Sequence, residues 1–130
     1  MAKGYLIDTS AVIKYLNQTF SQKAIAFIDT VVDEKSNISF ISEIELQVWN
    51  PTEAADLSVY TQFVQLSNVI GINSQIIAGT IAVRKKHNLK LADALIAATA
   101  LVNDLTLLAD NDKDFLKVEG LSYMNPKGIL

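Results

Sequence analysis

Lys90-Leu91-Ala92-Asp93-Ala94-Leu95-Ile96-Ala97-Ala98-Thr99-Ala100 reads as a helix that is apolar on nearly every side yet carries a carboxylate. Such a helix belongs inside a protein. At roughly 100° per residue, Leu91, Leu95, Ala98 and Val102 share one face, while Asp93 lies opposite with Ile96, Ala97 and Ala100. The spacing predicts that Asp93 points into a close-packed setting. There an ionised carboxylate is costly unless a cation or a hydrogen-bond donor meets it. A plainer reading stands beside this one: Asp93 sits in the first turn and complements the helix dipole.

Outward from that helix, short apolar runs alternate with helical spacings. Gly4-Tyr5-Leu6-Ile7 predicts a strand ending at Asp8-Thr9-Ser10, after which Ala11, Val12, Tyr15 and Leu16 recur as on a helix. Ser21 to Val32 predicts a second helix, and the polar run Asp33-Glu34-Lys35-Ser36-Asn37 a turn. Ile38-Ser39-Phe40-Ile41 reads as a strand, followed by Ser42-Glu43-Ile44-Glu45 with the spacing of a capping box. Asn50 and Pro51 suit the N-cap and first position of a helix to about Leu66. Val69 to Ile72 is short and β-like, Asn73 or Ser74 caps a helix to about Lys86, and Asn88 marks its end. Beyond the Asp93 helix, Leu105 to Ala109 reads as an interior strand. Asp110 to Phe115 is a polar loop or one helical turn, and Gly120 to Met124 an edge strand.

This alternation predicts an α/β fold, a central parallel sheet covered by helices on both faces. Sites in such sheets form beyond the carboxyl ends of the strands. Asp8, Glu45 and Asn111 would emerge at one edge, and Asp93, in the first turn of a helix leading into the same sheet, can reach it.

Composition narrows the chemistry. With 130 residues, half of them hydrophobic, and no linker-like tract, one domain over 1–130 is expected. No apolar run spans a bilayer, and the Met-Ala-Lys-Gly start lacks the apolar core of a signal peptide, so a cytoplasmic protein is expected. The absence of cysteine excludes thiolate sites, and His87, the only histidine, leaves no His-based zinc site or Ser-His-Asp triad. Any metal must be held by oxygen. A net charge of −3 argues against nonspecific coating of nucleic acid but allows a local basic patch such as Arg84-Lys85-Lys86.

Each acidic residue also has a plain structural reading. Asp8 can cap the next helix, although Thr9 and Ser10 could do so equally, the capping box with Ser42 accounts for Glu45, and Asp110, Asp112 and Asp114 look like a solvated turn. Convergence outweighs these readings. Several oxygen donors at one edge match Mg²⁺ or Mn²⁺, ions that orient a water and stabilise charge on a phosphate in flight. Metal-dependent phosphodiester hydrolysis is the resulting expectation.

The chain resembles the PIN-domain nucleases and, among them, the VapC-type toxins of toxin–antitoxin pairs. Tyr5-Leu6-Ile7-Asp8-Thr9-Ser10 is similar to the family's opening motif, and Ile38 to Leu46 to its second, in which the Glu directly before Leu, here Glu45, is the catalytic one. Leu91-Ala92-Asp93-Ala94-Leu95 is the most specific match, and Leu105 to Phe115 is similar to the closing strand and loop. The resemblance implies a three-layer α/β/α PIN-like fold, Mg²⁺ or Mn²⁺ bound by Asp8, Glu45 and Asp93, and endonucleolytic cleavage of RNA. It also implies a homodimer and a cognate antitoxin occupying the active-site groove. Asn111, the uncharged variant of the fourth catalytic position, would support the cation or a water, and Ala109 stands where the family usually has Thr or Ser. Arg84, Lys85, Lys86 and Lys90 would contact phosphates. A competing reading is a catalytically weak PIN module acting by protein binding with its antitoxin on operator DNA. A phospho-receiver ranks below both, because Asp8-Thr9-Ser10 lacks a second acidic residue and no Lys ends the strand at Ala109.

Overall fold

Strand side chains alternate between two separate cores, and this period of two sets the layers. The computed structural model describes residues 4–48 and 54–130. Strands β1 (Tyr5–Ile7), β2 (Asn37–Ser39), β3 (Asn68–Ile70), β4 (Thr106–Leu108) and β5 (Tyr123–Met124) form one sheet in the order β3-β2-β1-β4-β5, with every neighbouring pair parallel. Ile7, Ile38 and Leu108 enter a core with Ile28, Leu46 and Tyr60, beneath α1 (Thr9–Leu16), α2 (Gln22–Lys35), α3 (Phe40–Val48) and α4 (Ala54–Leu66). Leu6, Leu107 and, just past β4, Ala109 enter the other core, with Val83 of α5 (Ser74–Lys86), Ile96 and Ala97 of α6 (Leu91–Val102) and Phe115 of α7 (Asp112–Phe115). The α/β/α layering expected from the sequence is thus present. No helix among the described residues is long and apolar enough to cross a membrane.

From β1 the chain steps outward to β2 and β3, then returns to place β4 on the other side of β1. The β1/β4 junction is therefore the switch point at which a crevice opens beyond the strand ends. The helix α6 leads back into β4, so its first turn rises at that same end.

Several boundaries differ from those read in the sequence. The run Asp33-Glu34-Lys35 is the exposed end of α2, not a turn; none of the three breaks a helix, and the chain leaves it only at Ser36. The second strand covers Asn37–Ser39, and the helix begins at Phe40. Ser39 Oγ accepts from the amides of Ile41 (3.1 Å) and Ser42 (3.3 Å), so Ser39 is the capping side chain and Ser42 lies inside the helix. The capping box between Ser42 and Glu45 is thereby removed. Helix α5 ends at Lys86, with His87 already extended ahead of Asn88, and Asn73 caps its start by accepting from the Ile76 amide at 2.9 Å. The Asn50–Pro51 cap lies outside the described residues.

Helix α6 is also less enclosed than its composition predicts: Leu91 is 55% exposed and Val102 36%. Ala94, Ile96, Ala97 and Ala100 face the sheet, while Ala98 meets α5 at Gly79, where an added Cβ would stand 3.3 Å from the Ala98 Cβ. Small side chains on both helices permit this approach, which in turn locates Asp93. Gly79→Leu should therefore cost about 2 kcal/mol by overpacking, measured as a lower urea midpoint. Gly71→Ala, with nothing within 4 Å of the added carbon, should stay within about 0.5 kcal/mol. Equal midpoints for the two variants would refute the close α5–α6 contact.

Candidate active site

The crevice at the β1/β4 junction is built from residues that leave the strands. Asp8 follows β1 directly; its amide donates to Leu108 O at 2.9 Å, and its side chain caps α1, with Oδ2 accepting from the Ser10 amide (3.4 Å) and the Ser10 hydroxyl (2.7 Å). The Ser10 hydroxyl oxygen accepts in turn from the Asp110 amide at 3.2 Å, stitching the two strand exits together. The capping role is real, and both hydrogen bonds fall on one carboxylate oxygen. Asp8 is only 7% exposed. Burial pushes its carboxyl up to about 6, against the Ser10 hydrogen bonds, and the charges of Glu45 and Asp93 add to the rise.

Glu45 lies on α3, where its Oε1 accepts from Thr9 Oγ1 at 2.6 Å. The Thr9 oxygen is also 2.9 Å from Ser42 Oγ; since Thr9 has one proton to give, Ser42 donates to Thr9 and Thr9 to Glu45. Asp93, in the first turn of α6, is half-buried. Burial raises its carboxyl above the usual range, Asp114 and then Glu45 raise it further, and Lys90 opposes them. Asp8, not Asp93, is thus the enclosed carboxylate of the pair: a first-turn residue sits where the helix emerges from its neighbours, whereas Asp8 sits under the sheet exit.

Asn111 precedes α7 and donates through Nδ2 to Asp114 Oδ2 at 3.1 Å, while its amide donates to Tyr123 OH at 3.0 Å. The three aspartates of this loop, read from sequence as a solvated turn, have distinct duties. Asp110 is paired with Lys14 and accepts from Asn125 Nδ2 at 2.9 Å, and the Lys14 hydrogen bond holds its carboxyl below the usual range. Asp112 accepts from Tyr123 OH at 2.6 Å and from Asn125 at 3.0 Å, anchoring the loop to β5 and the residues after it. Of the three, Asp114 is the one whose charge acts on Asp93. The structure therefore brings the charges of the predicted Asp8, Glu45 and Asp93 within reach of one another and sets Asp114, which sequence reasoning did not single out, within reach of Asp93. Its signal was the three-residue step from Asn111 to Asp114 in a turn fixed by the buried Phe115.

The predicted basic residues separate. Arg84 and Lys90 line a cleft beside Asp114, whereas Lys86 pairs with Glu119 and lines a different surface with His87. Lys85 is exposed on the last turn of α5.

Among the described residues, no group of three or more acidic or histidine side chains is already poised to hold a metal ion. The fit is one of donor chemistry: Asp8, Glu45, Asp93 and Asp114 offer carboxylate oxygens, the charges of Glu45 and Asp93 raise the Asp8 carboxyl and those of Asp114 and Glu45 raise Asp93, a repulsion that a hard divalent cation relieves.

Fold and crevice together define a three-layer α/β/α protein whose acidic site lies at the switch point of a parallel sheet. The sequence profile of the PIN domain matches residues 5–121, and the chain belongs to the PIN-domain family, whose members are generally nucleases and typically use divalent metal ions. No curated protein matches the chain at a comparable level. Among solved structures it is similar to a toxin–antitoxin complex from Klebsiella pneumoniae, at 25% identity and a TM-score of 0.74 over 95% of this chain and 98% of that one. It is also similar to VapBC2 from Rickettsia felis bound to a DNA fragment from its promoter (19% identity, TM-score 0.79, 93% of this chain and 97% of that one). A third is FitAcB from Neisseria gonorrhoeae (21%, 0.78, 96% and 99%).

The raised Asp8 carboxyl has a consequence in metal-free solution. With its folded value near 6 and an unfolded value near 3.9, the native state binds more protons between them, so this group's contribution makes stability fall as pH rises through that window. Asp8→Asn keeps the cap and removes the charge. In chelator at pH 7 it should melt higher than the parent, on the order of 2 kcal/mol more stable, with the advantage vanishing near pH 4. A lower melting temperature at pH 7 would mean that Asp8 is charge-compensated and not repelled.

Proposed function

We propose that the chain is a metal-dependent endoribonuclease and the toxin of a type II toxin–antitoxin module, formed as one PIN domain over residues 1–130 and acting in the cytoplasm. The observation that carries this reading is the convergence of carboxylates at one crevice, where Glu45 and Asp93 act on the buried Asp8, and Asp114 and Glu45 on Asp93, in a chain with no cysteine and a single histidine. Asp8, Glu45 and Asp93 would hold Mg²⁺ or Mn²⁺, which when bound activates water and offsets the charge that develops on a phosphate. The chain's own residues prepare that centre. Ser10 fixes the Asp8 carboxylate, Thr9 fixes Glu45, and Asn111, in the fourth catalytic position, fixes Asp114 through its amide. The substrate is RNA, and of the basic residues singled out in the sequence Arg84 and Lys90, which line the cleft beside Asp114, are assigned to its phosphates.

The surface supports protein partners. Ile44 and Val48, exposed on the same helix as Glu45, offer an apolar approach to the crevice for a cognate antitoxin. Ile77 and Ile81, one turn apart and about half exposed on α5, suit a homodimer interface. A second reading, a catalytically weak module that works through its antitoxin on operator DNA, is favoured by the promoter DNA in the Rickettsia felis complex.

Cleavage of RNA by the purified chain in Mn²⁺ separates the two. Asp93→Asn should lower the rate roughly 100-fold or more with the fold intact. Glu45→Gln should lose most activity and Glu43→Gln little, since Ser39 rather than Ser42 caps this helix and no capping role remains for Glu45. Activity that is unchanged in Asp93→Asn, or that persists equally in both glutamate variants, would leave the protein-binding reading in its place.

A further inference from the structure

The last turn of α5, the link to α6, and α7 with the residues after it enclose a cleft of about 490 Å³. Arg84, Lys90, Lys113 and Lys117 line it, with Asp114 as the single carboxylate among the lining residues. Four of the chain's 11 lysines and arginines thus converge in a protein of net charge −3. Lys117 ties the walls together: its Nζ donates to Asn88 O at 3.0 Å and lies 3.8 Å from Asp114 Oδ1. The other Asp114 oxygen, Oδ2, accepts from Asn111. Asp114 thus lines the cleft while its charge also acts on Asp93, so the cleft adjoins the acidic crevice through this residue.

A polyanion approaching the crevice meets the negative charges of Asp8, Glu45, Asp93 and Asp114, and its affinity must come from cations placed beside them. The cleft places them there. Its lining is mostly charged and polar, so it suits a backbone of phosphates rather than a base or an apolar side chain, and its long, exposed side chains can follow a flexible strand. We infer that this cleft is the subsite for the sugar–phosphate backbone of single-stranded RNA on one side of the bond that is cut, with Lys113 and Lys117 joining Arg84 and Lys90 in neutralising its phosphates. The inference rests on the ribonuclease reading above. It also revises the basic set read from the sequence: Lys86 is engaged with Glu119, and neither it nor Lys85 lines the cleft.

The test is the anisotropy of a short fluorescein-labelled oligouridylate titrated with the full chain in EDTA, where metal-dependent cleavage is off, across a range of salt. The double variant Lys113→Ala/Lys117→Ala should bind about 10-fold more weakly at low salt, and its log–log salt slope should shrink by about 1.4, the value for two lost phosphate contacts on a single strand. Lys85→Ala/Lys86→Ala should stay within about 2-fold. Lys113→Arg/Lys117→Arg should bind like the parent, which separates lost charge from lost folding. Equal losses in the two alanine pairs, no loss in the cleft pair, or no measurable binding by the parent would overturn the inference. So would a cleft pair that keeps its RNA affinity while losing binding to a labelled oligoglutamate peptide, since the cleft would then serve an acidic protein segment. Failure of the ribonuclease reading looks different: the parent would bind the oligonucleotide through the cleft yet cut no RNA in Mn²⁺.

Discussion

Carboxylates crowded where β1 and β4 end repel one another, and much of the chain is arranged to hold them there in spite of that. Asp8 is nearly enclosed, yet its hydrogen bonds come from a single neighbour, Ser10, which is itself held by the Asp110 amide. Glu45 is held by Thr9, the residue between Asp8 and Ser10. Two adjacent hydroxyls thus aim two carboxylates. Folding energy for such an arrangement must come from elsewhere, chiefly the two cores that the strand side chains feed. Carboxylates held together at a cost to the fold are the pattern expected of a functional centre.

Charge around the crevice is sorted rather than mixed. Lys14 neutralises Asp110, and Tyr123 with Asn125 occupies Asp112, so these two aspartates are committed to holding the β4 loop. Asp114 is left to act on Asp93 and also lines the basic cleft. Under the proposed ribonuclease function, a nucleic acid strand would meet cations first and the carboxylates next, which would reconcile an acidic protein with an anionic substrate.

Much of this was legible in the sequence. Alternation of short strands with helices gave the layers, and Asp8, Glu45 and Asp93 were readable because strand exits and a first helical turn must meet at one sheet edge. Where the reading failed, local pattern competed with tertiary placement. The Asp33-Glu34-Lys35 run is polar because it is the outer end of a helix, and polarity alone does not distinguish that from a turn. Ser42-x-x-Glu45 has capping-box spacing, but the helix starts three residues earlier, because Ser39 reaches its first amides. Leu91 and Val102 are apolar yet exposed, so apolar composition overstated how far α6 is enclosed, and with it the burial of Asp93. Asp114 was hidden among three aspartates whose partners, Lys14, Tyr123 and Asn125, lie far away in sequence, and only the fold assigns each its own.

Asp8, Glu45 and Asp93 are proposed as the seat of a divalent cation. Crystals of the chain grown with Mn²⁺ and measured for anomalous scattering test it most directly. A manganese peak should lie among those three side chains, absent from crystals of Asp8→Asn grown the same way. A peak confined to Asp110 and Asp112, or one that persists among the three side chains in Asp8→Asn, would contradict it.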